Sequence, residues 1–358
     1  MEGFASIFGE VPDPRAENTR HDLTTILFIA LASLLCGAES CADMADFGKS
    51  KKPLLRKVLQ LPYDVPSHDT FSRIFRLLNP EAFEAALARF SKVFGKTISG
   101  VVAIDGKAVR GAYKRGCSTS PMHLVNVWAA DQRLAIGQKV APGRNEVKGV
   151  IEALALLSLE DCIVTADALH CRADVANAIM AAGADYALAL KDNQPGLRKD
   201  VKARIEAADD PDRASDQSIK LHDRIESRHC VVVPTKDIDF PGVAAVACIE
   251  SERITSDGRA MTATRHFLLS ATISAKYLME VVRAHWTIEN QLHWVLDVHF
   301  NEDASRIRKD NAPQNLAVLR KIALNILRMH PDKASIRRKI KKAGWDDDFL
   351  ISLISHMR

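Results

Sequence analysis

The chain has 358 residues, long enough to bury a full core and to form two or three domains. Apolar residues at 47% and charged residues at 26% are ordinary for a water-soluble globular protein and exclude a disordered or fibrous chain. A formal charge of +4 permits a polyanionic partner without demanding one, and the longest apolar stretch, Ile26 to Cys36, is too short to span a bilayer.

The seven cysteines are odd in number and show no CxxC spacing, which predicts reduced thiols. No signal-peptide pattern is visible, so the expected location is cytoplasmic, with no membrane attachment.

Residues 1–98 are expected to form an all-α domain. Residues 1–19, with Pro12 and Pro14, read as irregular. A strongly apolar helix is predicted over about 20–37, ended by Gly37, with shorter helices near 41–48 and 53–60. Ser67 is a candidate N-cap for a helix whose Phe71, Ile74, Phe75 and Leu78 recur at helical spacing. Asn79-Pro80 opens another, over 81–94. Two adjacent helices here are a candidate DNA-reading pair, although most such pairs are packing units. His68, Asp69 and Arg73 read as capping and salt-bridging residues.

Residues 99–198 read as α/β. The run VVAID (101–105) is a buried strand that ends on a carboxylate, followed by Gly106, Lys107 and Arg110. Two short strands flank the polar turn Asp131-Gln132-Arg133. Asn145 caps a helix with an apolar face of Val147, Val150, Ile151, Leu154 and Leu157. CIVTAD (162–167) is a second buried strand that ends on Asp, and a helix over 171–182 and a strand over 185–190 follow. Three strands, helix, strand, helix, strand is the order of a ribonuclease-H-like core. In that order Asp105 and Asp167 lie on neighbouring strands.

Residues 199–275 are expected to be a β-rich insertion, with short strands near 231–234, 243–250 and 266–270. His222, Arg224, Glu226 and Arg228 read equally as a solvated edge or as DNA-backbone contacts. Residues 276–330 carry the second part of the core. One long helix over 278–298 places His285, Glu289 and His293, four apart, on one face. Glu289 either joins the two Asp residues around hard cations or belongs to a separate His-Glu-His zinc or iron site, and the plainest reading is helix surface. Arg306, Arg308 and Lys309 form a basic cluster, a helix follows over 313–329, and a basic tail, 331–358, holds the run RRKIKK (337–342).

These residues resemble the ISAs-one family of insertion-sequence transposases, with its H-repeat-associated group. The likeness is carried in order by CGAESCADMADFG, PSHDTFSRIF, AIDGKAVRGA, NEV, TADALHC, ADYALALKDNQ, HDRIESR and the stretch HWTIENQLHWVLDVHFNEDASRIRKDNAPQNLAVLRKIALNIL (285–327). It implies an IS-four-like DDE superfamily member with a ribonuclease-H-like catalytic core, and makes Asp105, Asp167 and Glu289 the catalytic and metal-binding triad. Where the wider group carries Tyr, Arg and Lys around the Glu, this chain has Val282, His285 and Leu296. Asp223 stands where Gly is usual.

The implied reaction is cleavage and strand transfer of an insertion sequence, acting on double-stranded DNA as a homodimer on paired element ends. Two Mg2+ ions about 3.5–4 Å apart, replaceable by Mn2+, are expected. Lys107, Arg110, Lys114, His285, Asn290, His293, Arg306, Arg308 and Lys309 are the expected DNA contacts, with Glu289 support as an alternative for His285, Asn290 and His293. The alternatives are a metal-dependent nuclease of the same fold and a catalytically degenerate DNA-binding relative. The N-terminal helices are the first candidate for recognising the ends and the insertion the second.

Overall fold

A computed structural model of the chain describes residues 2–15, 19–94, 98–113, 121–191, 193–220, 224–255 and 259–355. Six helices come first: α1 (Glu2–Phe8), α2 (Leu23–Leu35), α3 (Cys41–Ser50), α4 (Lys52–Val58), α5 (His68–Leu77) and α6 (Pro80–Phe94). The start of the chain is not irregular. Phe4 and Phe8 stack on Phe28 and Phe83, and this burial holds α1 although two prolines follow it. Local chemistry sets the helix starts: Asp22 caps α2, Ser40 and Asp43 form a capping box at α3, and Ser67 caps α5.

The strands and helices that follow are β1 (Gly100–Tyr113), β2 (Pro121–Ala129), β3 (Leu134–Val140), α7 (Glu146–Leu154), β4 (Cys162–Ala166), α8 (Ala173–Ala181), β5 (Asp185–Leu190), α9 (Pro195–Glu206), β6 (Asp212–Lys220), β7 (Arg224–Pro234), β8 (Ala245–Ile254) and β9 (Ala260–Leu269). They build one nine-stranded sheet in the order β3-β2-β1-β4-β5-β9-β8-β7-β6. The pairs β1/β4 and β4/β5 are parallel and the rest antiparallel.

Residues 199–275 are thus not a set of short separate strands. Leu190 to Ala187 on β5 pair with His266 to Leu269 on β9, so the segment extends the central sheet. Its strands are longer than their apolar cores because the outer residues of β8 and β9 are largely exposed. Helix α9 spans the start of the segment expected to be β-rich.

Side chains alternate across β1. Val101 and Ala103 join the core shared by the N-terminal and C-terminal helices; Val102 and Ile104 join the core that also takes in residues of α7 and α8. The N-terminal helices therefore share apolar contacts with the rest of the chain.

The predicted single helix over 278–298 is three segments: α10 (Ala275–His285), a π-helical stretch (Ile288–His293) and α11 (Trp294–Phe300). The break has a local cause. Thr287 Oγ1 donates back to the Ala284 carbonyl at 2.6 Å and accepts from Trp128 Nε1 of β2 at 2.9 Å, which diverts the regular ladder. Then come α12 (Ala312–Met329), α13 (Ile336–Trp345) and α14 (Asp347–Ser355). The basic run 337–342 lies on α13 and is not all solvated: Lys339 is buried, donating to the carbonyls of Leu327 and His330 at 2.6 and 2.9 Å. Among the described residues no helix is long and apolar enough to cross a membrane.

A buried ionic network ties β1 to the C-terminal helices. Lys107 Nζ donates to Asp297 at 2.5 Å and to Glu302 at 2.8 Å, and Lys321 lies 3.8 Å from the other Glu302 oxygen. Glu302 and Lys321 have no exposed surface. Burial alone would raise the Glu302 pKa, but Lys321, Lys107 and Arg320 together hold it below the ordinary carboxylate range. Glu302→Gln leaves two buried ammonium groups under-compensated, so it is expected to cost about 3–5 kcal/mol in a denaturant titration; a loss under about 1 kcal/mol would show the network to be dispensable.

Candidate active site

Two parallel strands deliver two carboxylates to one edge of the core. Ile104 of β1 pairs with Ala166 of β4, so Asp105 and Asp167 emerge side by side. The Gly106 amide donates to Asp105 Oδ1 at 2.9 Å. The third acid arrives from the π stretch. Among the described residues one group of three or more is close enough to share a metal ion: Asp105, Glu289 and His293, whose ligating atoms lie within 4.8 Å of one another. Asp167 stands outside that group but near enough to act on the charge of Asp105.

His293 is the hub. It is buried, with Nδ1 2.9 Å from Glu289 Oε2 and 3.7 Å from Asp105 Oδ2. Its Nε2 lies 3.1 Å from Asn126 Nδ2, on the β2 residue paired with Asp105. With the Asn126 amide donating to Nε2, the ring proton sits on Nδ1 and is donated to Glu289. That bond is the main reason Glu289 is held below the ordinary carboxylate range. Asp105 behaves oppositely. Burial pushes it up to about 6; His293 opposes the rise, and the negative charges of Asp167 and Glu289 add to it.

His285 does not join a His-Glu-His cluster. Its Nδ1 lies 3.0 Å from Thr165 Oγ1 and its Nε2 3.9 Å from Asp167, and burial lowers its pKa. The separate zinc or iron site is therefore not assembled.

The expected DNA contacts divide. Lys107 is a correction: on β1 it points into the sheet's covered face, where its ammonium is taken by Asp297 and Glu302. For His293 the DNA contact is a correction, because Glu289 and Asn126 occupy its ring inside the protein, and the alternative of Glu289 support is left. Asn290 is exposed beside Glu289, bonded back to the Trp286 carbonyl at 3.2 Å. Arg110, Arg306, Arg308 and Lys309 are exposed around the far end of β1. There the loop after α11 lies against Gly111, whose missing side chain makes room for the Ser305 carbonyl. Arg308 donates to the Gly111 carbonyl at 2.7 Å and its guanidinium sits 3.8 Å over the Tyr113 ring. Lys114 lies outside the described residues.

Sequence reasoning missed Asn126, which looks like any polar residue in an alternating strand. It also missed the cleft beside Asp167, lined in part by Thr165, Lys191, Arg265, His285 and Trp286. Arg265 lies 5.5 Å over the half-exposed Trp286 ring, a cationic and aromatic wall of the kind that holds single nucleotides.

Comparison with known proteins places the chain. A family profile described as "Transposase DDE domain" matches residues 96–326, and one described as "DDE_Tnp_1-associated" matches residues 5–91. The protein YbfL of Escherichia coli K12 is 33% identical over 96% of this chain and 96% of its own length. The H repeat-associated YhhI of the same strain, which carries a transposase name, is 32% identical over 96% of each chain. A cryo-EM structure of a piggyBac transposase synaptic complex with hairpin DNA overlaps 99% of this chain and 77% of that one, at 14% identity and a TM-score of 0.47. The two profiles and the near full-length relatives agree, and the chain belongs to the transposase DDE-domain family.

Proposed function

We propose that Asp105, Asp167 and Glu289 are the catalytic acids of this transposase and that they act on double-stranded DNA at the ends of an insertion sequence, cutting it and joining it to a target. The observation that carries the reading is the convergence of Asp105 and Glu289, far apart in the chain, on one buried histidine beside the Asp167 strand end. The strand order β3-β2-β1-β4-β5 supports a ribonuclease-H-like core within the larger sheet. The helices over 1–98 make the preceding domain, and 276–330 returns the Glu to the core.

The donor set fits divalent cations. Asp105 and Glu289 converge with Asp167 close by, and burial first, then the negative charges of Asp167 and Glu289, raises the pKa of Asp105. Oxygen donors of this kind suit Mg2+ or Mn2+. Asp105, Asp167 and Glu289 would hold the ions. When bound, the ions supply Lewis acidity at the scissile phosphate and lower the proton affinity of the attacking water or 3′-hydroxyl. His293, locked by Asn126, keeps Glu289 ionised and aimed at Asp105. Arg110, Arg306, Arg308 and Lys309 hold the DNA backbone, and Asn290 touches it next to Glu289. A homodimer on paired ends is the expected working state.

The N-terminal helices offer a place for the element ends. A recess there is lined by Arg20, Tyr63, Ser67, Thr70 and Arg73, and among the described residues no acid lines it. Guanidinium and hydroxyl groups of this kind bind phosphodiesters.

Three outcomes test this reading. In cleavage and strand-transfer assays with Mg2+ on the element's terminal DNA, Asp105→Asn, Asp167→Asn and Glu289→Gln each abolish both reactions while DNA affinity stays; activity surviving any one removes that acid from the triad. A wild type that binds the ends but never cuts would make the chain a degenerate relative. Metal loading should weaken as pH falls through about 6, because the raised Asp105 pKa makes a proton compete with the cation below that value; Mn2+ affinity equal at pH 5 and pH 7.5 would contradict this. Arg20→Ala with Arg73→Ala should lower end-DNA affinity and cut the slope of log affinity against log salt by about two; an unchanged slope would move end recognition elsewhere.

A further inference from the structure

One carboxylate in the neighbourhood of the acids has no place in the mechanism above. Glu146 opens α7, directly after its N-cap Asn145. Its carboxyl group packs under Gly106, the residue that follows Asp105. A Cβ on Gly106 would stand 2.6–2.7 Å from all three carboxyl atoms of Glu146. Neighbouring residues of a strand face opposite sides, so Glu146 meets β1 on the side away from the Asp105 carboxylate.

Two histidines flank this carboxylate. His123 Nδ1, from β2, lies 3.3 Å from Glu146 Oε1. His170 Nε2 lies 3.7 Å from Glu146 Oε2. His170 ends the short turn that begins after Asp167, and its amide donates to the Asp167 carbonyl at 2.8 Å. The His170 side chain is 2% exposed, yet neither ring nitrogen has a hydrogen-bond partner among the described residues. A buried imidazole left so is costly, and such groups persist where something other than their own bonding sets their place. Here that is the Asp167 turn on one side and Glu146 on the other.

We propose that Glu146 is a positioning residue for the cation site, a strut on the back of the sheet that sets the spacing of Asp105 and Asp167. It touches the peptide after the first acid and the turn after the second, and His123 anchors its other oxygen to β2. Gly106 is required because any side chain there would displace the strut. The Asp-Gly and Asn-Glu motifs, far apart in sequence, are two halves of one contact. This inference rests on the acids binding a cation, as proposed above.

The test uses Mn2+ alone, followed by electron paramagnetic resonance on full-length protein, so no DNA reaction is read. Glu146→Ala should weaken Mn2+ binding about tenfold or more, as loss of an outer support does at other metal sites. Glu146→Gln, which keeps the reach and volume, should largely restore it. Gly106→Ala should weaken binding too, and in Gly106→Ala/Glu146→Ala the two losses should fall short of additive, because the clash goes with the carboxylate. His170→Phe keeps the buried ring volume and removes the nitrogens; it should also weaken binding, and it decides the matter if Glu146→Ala fails to fold. Wild-type affinity in Glu146→Ala or in His170→Phe, or strictly additive losses, overturns the strut while leaving the acids in place. A wild type that binds no Mn2+ overturns both readings.

Discussion

The protein depends on one buried ammonium group. Lys107 stands two residues beyond Asp105 on β1, and its charge is satisfied by Asp297 and Glu302, which flank the C-terminal end of α11. The acid that must meet Asp105 is on the π stretch just before α11. A central strand and a helix from late in the chain are thereby fixed to each other within a few ångströms of the place where their carboxylates converge. Glu302 is sealed from water, so displacing it from Lys107 strands a charge in a low-dielectric interior.

Around that anchor the candidate site is electrostatically divided. Glu289 is kept ionised by a histidine, while Asp105 is pressed toward its neutral form by burial and by its acidic neighbours. A cation held as proposed would relieve this opposition. His293 buffers the arrangement by binding the more exposed acid from the buried side.

Much of this was legible in the chain. The apolar runs that lead into Asp105 and Asp167 are strands and pair in parallel, but only β4 stops at its acid: β1 continues through Asp105 to Tyr113 because β2 pairs with it beyond that point. Helices with clear caps, such as α3 and α5, start where the sequence says. Three things were not legible, each for a physical reason. The π stretch keeps the same apolar spacing as an α-helix over a few residues, so Ile288, Leu292 and Val295 give no sign of the Thr287 bond that breaks the ladder. The outer halves of β8 and β9 extend past the core, where no alternation is imposed because neither face is covered. Lys107 and Arg110 look alike beside Asp105, yet parity along the strand sends one inward and leaves the other exposed. Neither the residue pattern nor the family resemblance says which cations beside Asp105 face solvent.

The join between β5 and β9 has a consequence for how such a chain can vary. The long excursion that separates Asp167 from Glu289 leaves the sheet at its middle and re-enters by pairing with the strand it left behind. The entry and exit points are therefore adjacent, whatever lies between them. The exposed outer ends of β8 and β9 can lengthen without altering that join, whereas β6 is tied to α10 through Asp212 at Ala275 and Asp216 at Arg283. New surface can therefore be added at the tips of the excursion without moving the strand ends that carry the acids.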